Sequence, residues 1–177
     1  MLLNLYEVLS VTGMDKTVKA AFTEQEVSYF GESLKVSAKD EFDIMLKHTE
    51  KNIVRIELSL KVQVIRACSR CLEDVTSEYP LDIVRVVNVE KGEAYTDNEE
   101  ESDETSYIED CTLDVDMLIL DELYTVLPMN VLCKEDCKGI CKVCGTNLNK
   151  STCDCDQTVP DPRMAVFSDI FNQFKEV

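Results

Sequence analysis

Six of the nine cysteines in this chain lie in one short stretch near its carboxyl end. They are spaced as Cys-x-x-x-Cys, then Cys-x-x-Cys-Gly, then Cys-x-Cys, and comprise Cys133, Cys137, Cys141, Cys144, Cys153 and Cys155. Thiols at this density form either a metal site or a set of disulfides. The redox environment of the chain decides between the two.

The amino-terminal residues indicate a reducing compartment. Residues 1–7 lack a basic region and a cleavage motif, and Glu7 interrupts their apolar stretch, so they do not resemble a signal peptide. No apolar run approaches the roughly 18 residues needed to span a bilayer. We therefore expect a cytoplasmic protein without membrane contact, where thiols stay reduced and clustered cysteines are metal ligands. The odd number of cysteines favours the same interpretation.

Zinc is the metal that this spacing favours. Cys141 and Cys144 fit one tight turn that supplies two tetrahedral thiolate ligands, and Gly145 lets the backbone curl after them. Either Cys133 with Cys137, or Cys153 with Cys155, then completes a single zinc site. One zinc ion cannot use all six thiols, so either two thiols are spare or two metals share bridging sulfurs. Four thiolates leave no position open for water, so the expected role of the ion is structural, with iron–sulfur ligation as the alternative.

A second Cys-x-x-Cys motif, Cys68 with Cys71, follows an apolar strand pattern. It is compatible with a turn that carries partly buried thiols, or with half of a metal site that needs two further ligands, such as Cys111. A redox pair is the third interpretation, although no helix follows directly to lower a thiolate pKa. The sequence leaves all three open.

Strand patterns dominate the first half of the chain. From Ile53 to Ile65 the apolar residues occupy the even positions and the polar ones most of the odd positions, which is typical of an antiparallel strand with one buried face. Further strands are predicted around Leu3, Leu5 and Val8, and over 18–22, 33–36 and 79–89, while 40–47 fits a strand or a short helix. The predicted class is α+β: an antiparallel β domain, barrel or sandwich, covered by helices, with a small cysteine-rich zinc module.

The predicted boundaries follow changes in composition along the chain. The β domain covers 1–89, an acidic flexible loop 90–111, a helix packing on the β domain 112–130, the zinc-binding module 131–157, and a carboxyl-terminal helix 158–177. Thr112 or Asp114 could cap the first helix, and Pro128 ends it. Asp161 followed by Pro162 is a typical start for the second.

Charge and motifs restrict the function. The net charge is −17, and the stretch from Glu90 to Asp116 is strongly acidic. Such a chain is repelled by phosphate backbones, so a basic protein partner is favoured over direct nucleic-acid binding. The sequence contains neither a nucleotide-binding glycine loop nor a catalytic Ser–His–Asp set. We therefore expect neither an enzyme nor a small-molecule substrate.

Several segments together resemble the YceD-like proteins, the large ribosomal RNA subunit accumulation family. They are CSRCLEDV at 68–75, a helix ending in Leu127-Pro128, LCKEDCKGICKVCGTNLN at 132–149, CDCD at 153–156 and DPR at 161–163. The resemblance covers residues 60 to 167, and the order of these segments is more specific than any one of them. One departure is Ile140, where the family more often has leucine.

The resemblance implies a non-enzymatic role in accumulation of large-subunit (23S) ribosomal RNA during ribosome assembly. Combined with the charge, it predicts that the chain engages a basic ribosomal protein or assembly factor. Two alternatives remain. The first is direct RNA binding by the zinc module, through Lys134, Lys138, Lys142 and Lys150. The second is thiol or metal sensing by Cys68, Cys71 and the spare thiols.

Overall fold

The computed structural model describes residues 1–155 apart from positions 12, 14, 39 and 96–101. The chain divides into two compact units. The first contains Met1–Arg66 and Asp74–Val131, and the second contains Ala67–Glu73 together with the residues from Leu132 onward. The helix predicted over 158–177 lies outside the described residues and stays a prediction.

The first unit is mostly antiparallel β-structure. Its elements, in chain order, are β1 (Leu2–Asn4), α1 (Tyr6–Leu9), β2 (Asp15–Ala20), β3 (Glu26–Tyr29), β4 (Glu32–Ala38), β5 (Phe42–Glu50), β6 (Ile53–Ala67), β7 (Asp74–Asn88), β8 (Glu93–Tyr95), β9 (Ser102–Glu104), β10 (Ile108–Glu109), β11 (Thr112–Asp114) and α2 (Val115–Val126). The segment at 40–47, which the sequence left open, belongs to a strand.

Strand β6 organises the larger sheet, which has the order β2-β5-β6-β7-β8-β9. Its first half pairs with β5, and its second half pairs with β4, which in turn pairs with β3. The even positions from Val54 to Val64 are buried, which confirms the predicted alternation. The strand order does not confirm closure into a barrel.

A second, three-stranded sheet has the order β1-β11-β10. The sequence predicted one strand through Leu3, Leu5 and Val8, and this was wrong in part. The strand ends at Asn4, whose side chain accepts a hydrogen bond from the Tyr6 amide at 2.8 Å, and helix α1 begins there. A short polar side chain that bonds the backbone two residues on favours a turn over an extended strand. Leu5 and Val8 are nevertheless fully buried.

Helix α2 contributes to the same core as the sheets. Asp114 caps it by accepting bonds from the amides of Asp116 and Met117, as one of the two predicted caps. Leu118, Ile119 and Leu123 are buried in one cluster with the sheet residues. The helix ends before Pro128, where the sequence placed its end. None of the described helices is long and apolar enough to cross a membrane.

Residues 90–111, predicted as an acidic flexible loop, contain short strands in the part that the structure describes. The short strands β8 and β9 pair with each other, and β8 also pairs with β7. The sequence did not predict them, because acidic residues and glycine are poor strand formers and only pairing with β7 makes the extended conformation favourable. The flexibility of the intervening residues stays a prediction.

The second unit contains no helix or named strand in its described part, residues 67–73 and 132–155, beyond the end of β6. Turns and one isolated bridge, between Ile140 and Asn147, make up the rest. The sequence placed residues 67–73 in the β domain, whereas the structure groups them with the cysteine-rich segment. Eight of the nine cysteines lie in this unit.

Candidate metal centres

The Cys68–Cys71 motif forms a tight turn between β6 and β7. The Cys68 amide donates to the Glu73 carbonyl at 2.8 Å, and the Leu72 amide donates to the Cys68 carbonyl at 3.0 Å. Leu72 adopts a positive φ of 61°, which closes the turn after the second cysteine. Both thiols are buried. The turn therefore holds two sulfur atoms inward on one short loop.

A second pair of cysteines meets this turn. The Sγ atoms of Cys68 and Cys137 are 3.8 Å apart, and those of Cys71 and Cys133 are 3.5 Å apart. The Cys133 amide points at the Cys68 sulfur, with a distance of 3.4 Å. All four sulfur atoms lie within 4.8 Å of one another. We refer to Cys68, Cys71, Cys133 and Cys137 as site 1.

The backbone around site 1 is fastened independently of the thiols. The Arg70 guanidinium donates to the Cys137 carbonyl at 3.0 Å, and the Ile140 amide donates to the Arg70 carbonyl at 3.1 Å. A Cβ atom built on Gly139 would lie 3.0 Å from that same carbonyl oxygen, and the φ of this residue is +76°, so this approach strongly favours glycine. Lys150 also forms an ion pair with Glu73.

The Cys141–Cys144 motif forms the predicted turn. The Cys141 amide donates to the Thr146 carbonyl at 2.8 Å, and the Gly145 amide donates to the Cys141 carbonyl at 2.9 Å. Gly145 has a φ of +73°, the conformation expected of it. The Val143 amide points at the Cys141 sulfur at 3.4 Å. This is the amide-to-sulfur geometry that favours a thiolate.

Cys153 and Cys155 complete the second group. The four sulfur atoms lie within 4.8 Å of one another, and the group comprises Cys141, Cys144, Cys153 and Cys155. We refer to it as site 2. The two sites share no residue, and the sequence alternative that paired Cys133 and Cys137 with this turn is not the arrangement found.

The geometry of both sites fits a tetrahedral ion better than disulfides. A disulfide needs sulfur atoms about 2.05 Å apart, whereas all nine cysteines are free. Zinc–sulfur bonds of about 2.3 Å in a tetrahedron place the sulfur atoms about 3.8 Å apart. The two separations in site 1, 3.8 and 3.5 Å, are close to that value. Each group could therefore hold one metal ion.

The surroundings of site 1 favour ionisation of two of its thiols, Cys68 and Cys137, whose pKa values are lowered. Burial raises the pKa of the Cys68 thiol, but the amides of Arg70, Cys71 and Cys133 outweigh burial and lower this pKa to about 6. Burial and the neighbouring thiols raise the pKa of Cys133 to about 12. A bound cation would displace the remaining protons, because metal ligation requires thiolates.

Site 2 shows the same division. The hydroxyl and amide of Thr146 lower the pKa of Cys144 to about 6, and the Sγ–Oγ1 distance is 3.1 Å. The neighbouring Cys144, followed by burial, raises the pKa of the Cys155 thiol to about 12. The pKa is lowered at Cys68 and Cys137 in site 1 and at Cys144 in site 2, and these sulfur atoms mark where a cation would be attracted first.

The grouping of the cysteines in the structure differs from the one that the sequence predicts. The sequence predicts one zinc ion with two spare thiols, or two metals that share bridging sulfurs. In the structure the six predicted cysteines divide between two groups that share no residue, once Cys68 and Cys71 are included. Cys111, the candidate partner of that motif, belongs to neither group and packs against the hydrophobic core. The sequence signal for two sites, which the prediction of one zinc ion missed, is the presence of two Cys-x-x-Cys motifs among eight cysteines that could bind metal. That these cysteines bind metal stays a prediction.

Comparison with known proteins gives a consistent family assignment. The model of the family described as large ribosomal RNA subunit accumulation protein YceD matches residues 56–171. An uncharacterised protein of Mycobacterium tuberculosis (strain H37Rv) is 31% identical over 81 residues, 46% of this chain and 38% of that protein. A Mycobacterium leprae protein, also uncharacterised, is 29% identical over 84 residues, 48% of this chain and 38% of that protein.

A plant relative carries a functional name. The chloroplastic large ribosomal RNA subunit accumulation protein YCED homolog 1 of Arabidopsis thaliana is 30% identical over 64 residues, 36% of this chain and 20% of that protein. The matched part thus spans less than half the length of these curated relatives. No solved structure matches the chain. The family match extends over most of the chain and includes all eight cysteines of sites 1 and 2. This chain therefore belongs to the family of the large ribosomal RNA subunit accumulation protein YceD.

Proposed function

We propose that this chain is a non-enzymatic assembly factor that supports accumulation of large-subunit (23S) ribosomal RNA by holding a basic ribosomal protein or assembly factor in the cytoplasm. The observation that carries the proposal is the family match over residues 56–171. The family description names the accumulation of an RNA and no chemical reaction. The charge of the chain supports the choice of partner.

Zinc is the ion that we assign to both sites. Four thiolates form a ligand set typical of structural zinc, and they saturate a tetrahedral ion, which leaves no position for a water molecule or a substrate. The described part of the second unit has neither helices nor a sheet of its own to stabilise it. Zinc binding would then supply folding energy for this unit, as in other small metal-stabilised modules.

The acidic stretch supports a basic partner. Glu90, Glu109 and Asp110 are exposed in its described part, and the whole chain carries a net charge of −17. Clustered negative charge attracts basic proteins over a distance and accelerates their association. Ribosomal proteins that bind RNA are basic, so the acidic stretch would imitate the phosphate backbone they later bind.

Direct RNA binding by the second unit is the weaker alternative. Of the four lysines that could form a basic face, Lys150 is paired with Glu73, and Lys134 lies 3.7 Å from Asp136. Lys138 and Lys142 are exposed. Two lysines outside these ion pairs, next to clustered thiolates, make a poor phosphate-binding surface, because counter-ion release scales with the number of phosphate contacts.

The proposal is tested by neutralising part of the acidic stretch. Asp97, Glu99, Glu100 and Glu101 are replaced by their amides, and 23S ribosomal RNA is measured in cells whose own copy of the gene is deleted. The matched control replaces the exposed Asp15, Glu24, Glu41 and Asp43 by their amides, with the same change in net charge. We expect wild type and control to restore the RNA level and the test variant to restore it only in part.

Binding is measured on the same set of proteins. Wild-type protein should retain basic large-subunit proteins at low salt and release them at high salt, whereas the test variant should retain less at low salt. Equal retention by test and control variants would rule out the acidic stretch as the binding surface. Salt-dependent binding of ribosomal RNA alone by the wild type would favour the RNA-binding alternative.

A further inference from the structure

We propose that sites 1 and 2 differ in function: site 1 holds its zinc ion permanently, and site 2 is an exchangeable zinc site that loads last and empties first. The chain would then exist in a two-zinc and a one-zinc form under changing zinc supply. This proposal rests on the assignment of zinc made above. Four differences between the sites carry it.

The first difference is access. Three of the four site 1 cysteines are buried, with relative exposures of 0% for Cys68, 4% for Cys71 and 3% for Cys137. In site 2 only Cys141 is buried, Cys144 is exposed, and the other two are half-buried. A competing ligand removes zinc by first contacting the ion or a thiolate. Cys133 is the exposed thiol of site 1, so site 1 offers that contact at one sulfur atom, whereas site 2 has one exposed and two half-buried sulfur atoms.

The second difference is how hydrogen bonds hold the second cysteine pair of each site, Cys133 with Cys137 in site 1 and Cys153 with Cys155 in site 2. In site 1 the Asn149 amide group donates to the Cys137 sulfur at 3.3 Å, and Asn149 is itself held by the Asn147 side chain. The Cys133 amide reaches the Cys68 sulfur. Such outer partners orient ligands, and their loss typically costs about 10- to 100-fold in metal affinity. In site 1, hydrogen bonds to sulfur therefore orient a cysteine of each pair, Cys68 in the first and Cys137 in the second.

In site 2 this support is one-sided. The turn that carries Cys141 and Cys144 is closed by backbone bonds to Thr146 and Gly145. Cys153 and Cys155 lie in residues 151–155, which form no helix, strand or turn. The first pair is thus fixed by the backbone, and the second pair depends on the ion for its position. Loss of the ion frees the second pair without breaking the turn.

The third difference is the chain length that each site encloses. The facing sulfur pairs of site 1 come from residues 69 and 62 positions apart. Site 2 lies wholly within the stretch from Cys141 to Cys155, so its ligands separate and return through motion of a short loop. Short loops open and close on fast timescales. Site 2 can open while the rest of the unit stays folded.

The fourth difference concerns the bonds that fasten each site. The contacts of Arg70 with the carbonyl of Cys137 and the amide of Ile140, and the Lys150–Glu73 ion pair, join the two segments of site 1 and involve no thiol. They would persist when site 2 is empty. Loss of zinc from site 2 therefore releases Cys155 from the ion, while the bonds of Arg70 and Lys150 still hold the two segments of site 1 together.

The test is a chelator challenge of the zinc-loaded full chain under reducing conditions. A chromogenic zinc chelator in excess should withdraw zinc in two phases of equal amplitude, one ion each, with rates that differ by at least about tenfold. Cys153→Ser with Cys155→Ser should abolish the fast phase and preserve the slow one. Cys111→Ser, which changes the cysteine outside both sites, should leave both phases unchanged.

Thiol alkylation of the wild type identifies the emptied site without any cysteine substitution. After the fast phase, peptides with Cys144, Cys153 and Cys155 should be labelled, and those with Cys68, Cys71, Cys133 and Cys137 protected. A single phase, or earlier labelling of site 1, would overturn the proposal while the zinc assignment stands. A protein that retains no zinc before the challenge would overturn both.

Discussion

At the scale of single residues, Asp116 is the charged side chain most closely integrated into the described core. It is 5% exposed, and its carboxylate accepts bonds from the Thr23 hydroxyl at 2.6 Å and the Thr23 amide at 3.1 Å, with the Met1 amino group as a further partner. Burial raises the pKa of this carboxyl, but the amino group and Thr23 outweigh it and hold the pKa below the ordinary 3.8. A buried carboxylate with these partners stabilises the charged form.

This arrangement predicts a pH-dependent loss of stability in Asp116→Ala. The variant leaves the Thr23 donors without their acceptor, which should lower the free energy of unfolding by about 1–3 kcal/mol at neutral pH. Because the folded-state pKa is depressed, the contribution is present above pH 3.8 and disappears as the pH falls below it, through the folded pKa. Urea denaturation of both proteins from pH 7 down to pH 3 measures the difference.

The control is Asp121→Ala on the same helix, where the side chain is exposed. We expect it to change the free energy of unfolding by less than about 0.5 kcal/mol at every pH. A loss in Asp116→Ala that persists unchanged at the acid end would show that the carboxylate charge is not what stabilises this contact.

At the scale of elements, the second unit depends on two tight turns and on one close backbone approach between its segments. Gly139 and Gly145 both have positive φ, +76° and +73°. Only at Gly139 would a Cβ meet another segment, at 3.0 Å from the Arg70 carbonyl oxygen, while nothing lies within 4 Å at Gly145. Alanine substitutions at these two glycines therefore distinguish two contributions to the free energy of unfolding. Gly145→Ala measures the left-handed backbone conformation alone, and Gly139→Ala adds the close contact of the Cβ atom.

We predict that Gly139→Ala opens the contact between the two segments of site 1. Gly145→Ala should cost about 1–2 kcal/mol for the left-handed conformation alone. Gly139→Ala should cost the same plus about 1–3 kcal/mol, since the Arg70 carbonyl must move. Hydrogen exchange at the Ile140 amide, which donates to this carbonyl, reports the opening directly. Equal acceleration in the two variants would contradict the close approach.

The elements differ in how far sequence alone predicted them. The alternation along β6 and the Asp114 cap of α2 are local patterns, and both were predictable. Strands β8 and β9 have no such pattern, because their extended conformation depends on pairing with β7. The Cys141–Cys144 turn is equally local, with its glycine signal in the sequence.

The partners of each thiol pair were beyond sequence reasoning. Cys71 and Cys133 lie 62 positions apart, and no periodicity links residues at that distance. The choice between Cys133 with Cys137 and Cys153 with Cys155 as the second pair was left open for the same reason. Only the fold shows that each of the two pairs lies beside a different Cys-x-x-Cys turn.

At the scale of the whole molecule, the two sites enclose different lengths of chain. The cysteines of site 1 come from two segments that are separated in the sequence by the elements from β7 to α2, whereas those of site 2 come from a single short segment. Closing a long loop removes more conformational freedom from the unfolded chain than closing a short one. Zinc at site 1 should therefore contribute more to the integrity of this unit than zinc at site 2.

The central claim is that each four-thiol site binds one zinc ion, and the most direct test is the mass of the intact chain under native conditions together with its zinc content. The wild type should carry two zinc ions, and Cys153→Ser with Cys155→Ser should carry one. Cys111→Ser should still carry two. One zinc ion per wild-type chain, or zinc content unaffected by the double variant, would contradict the account.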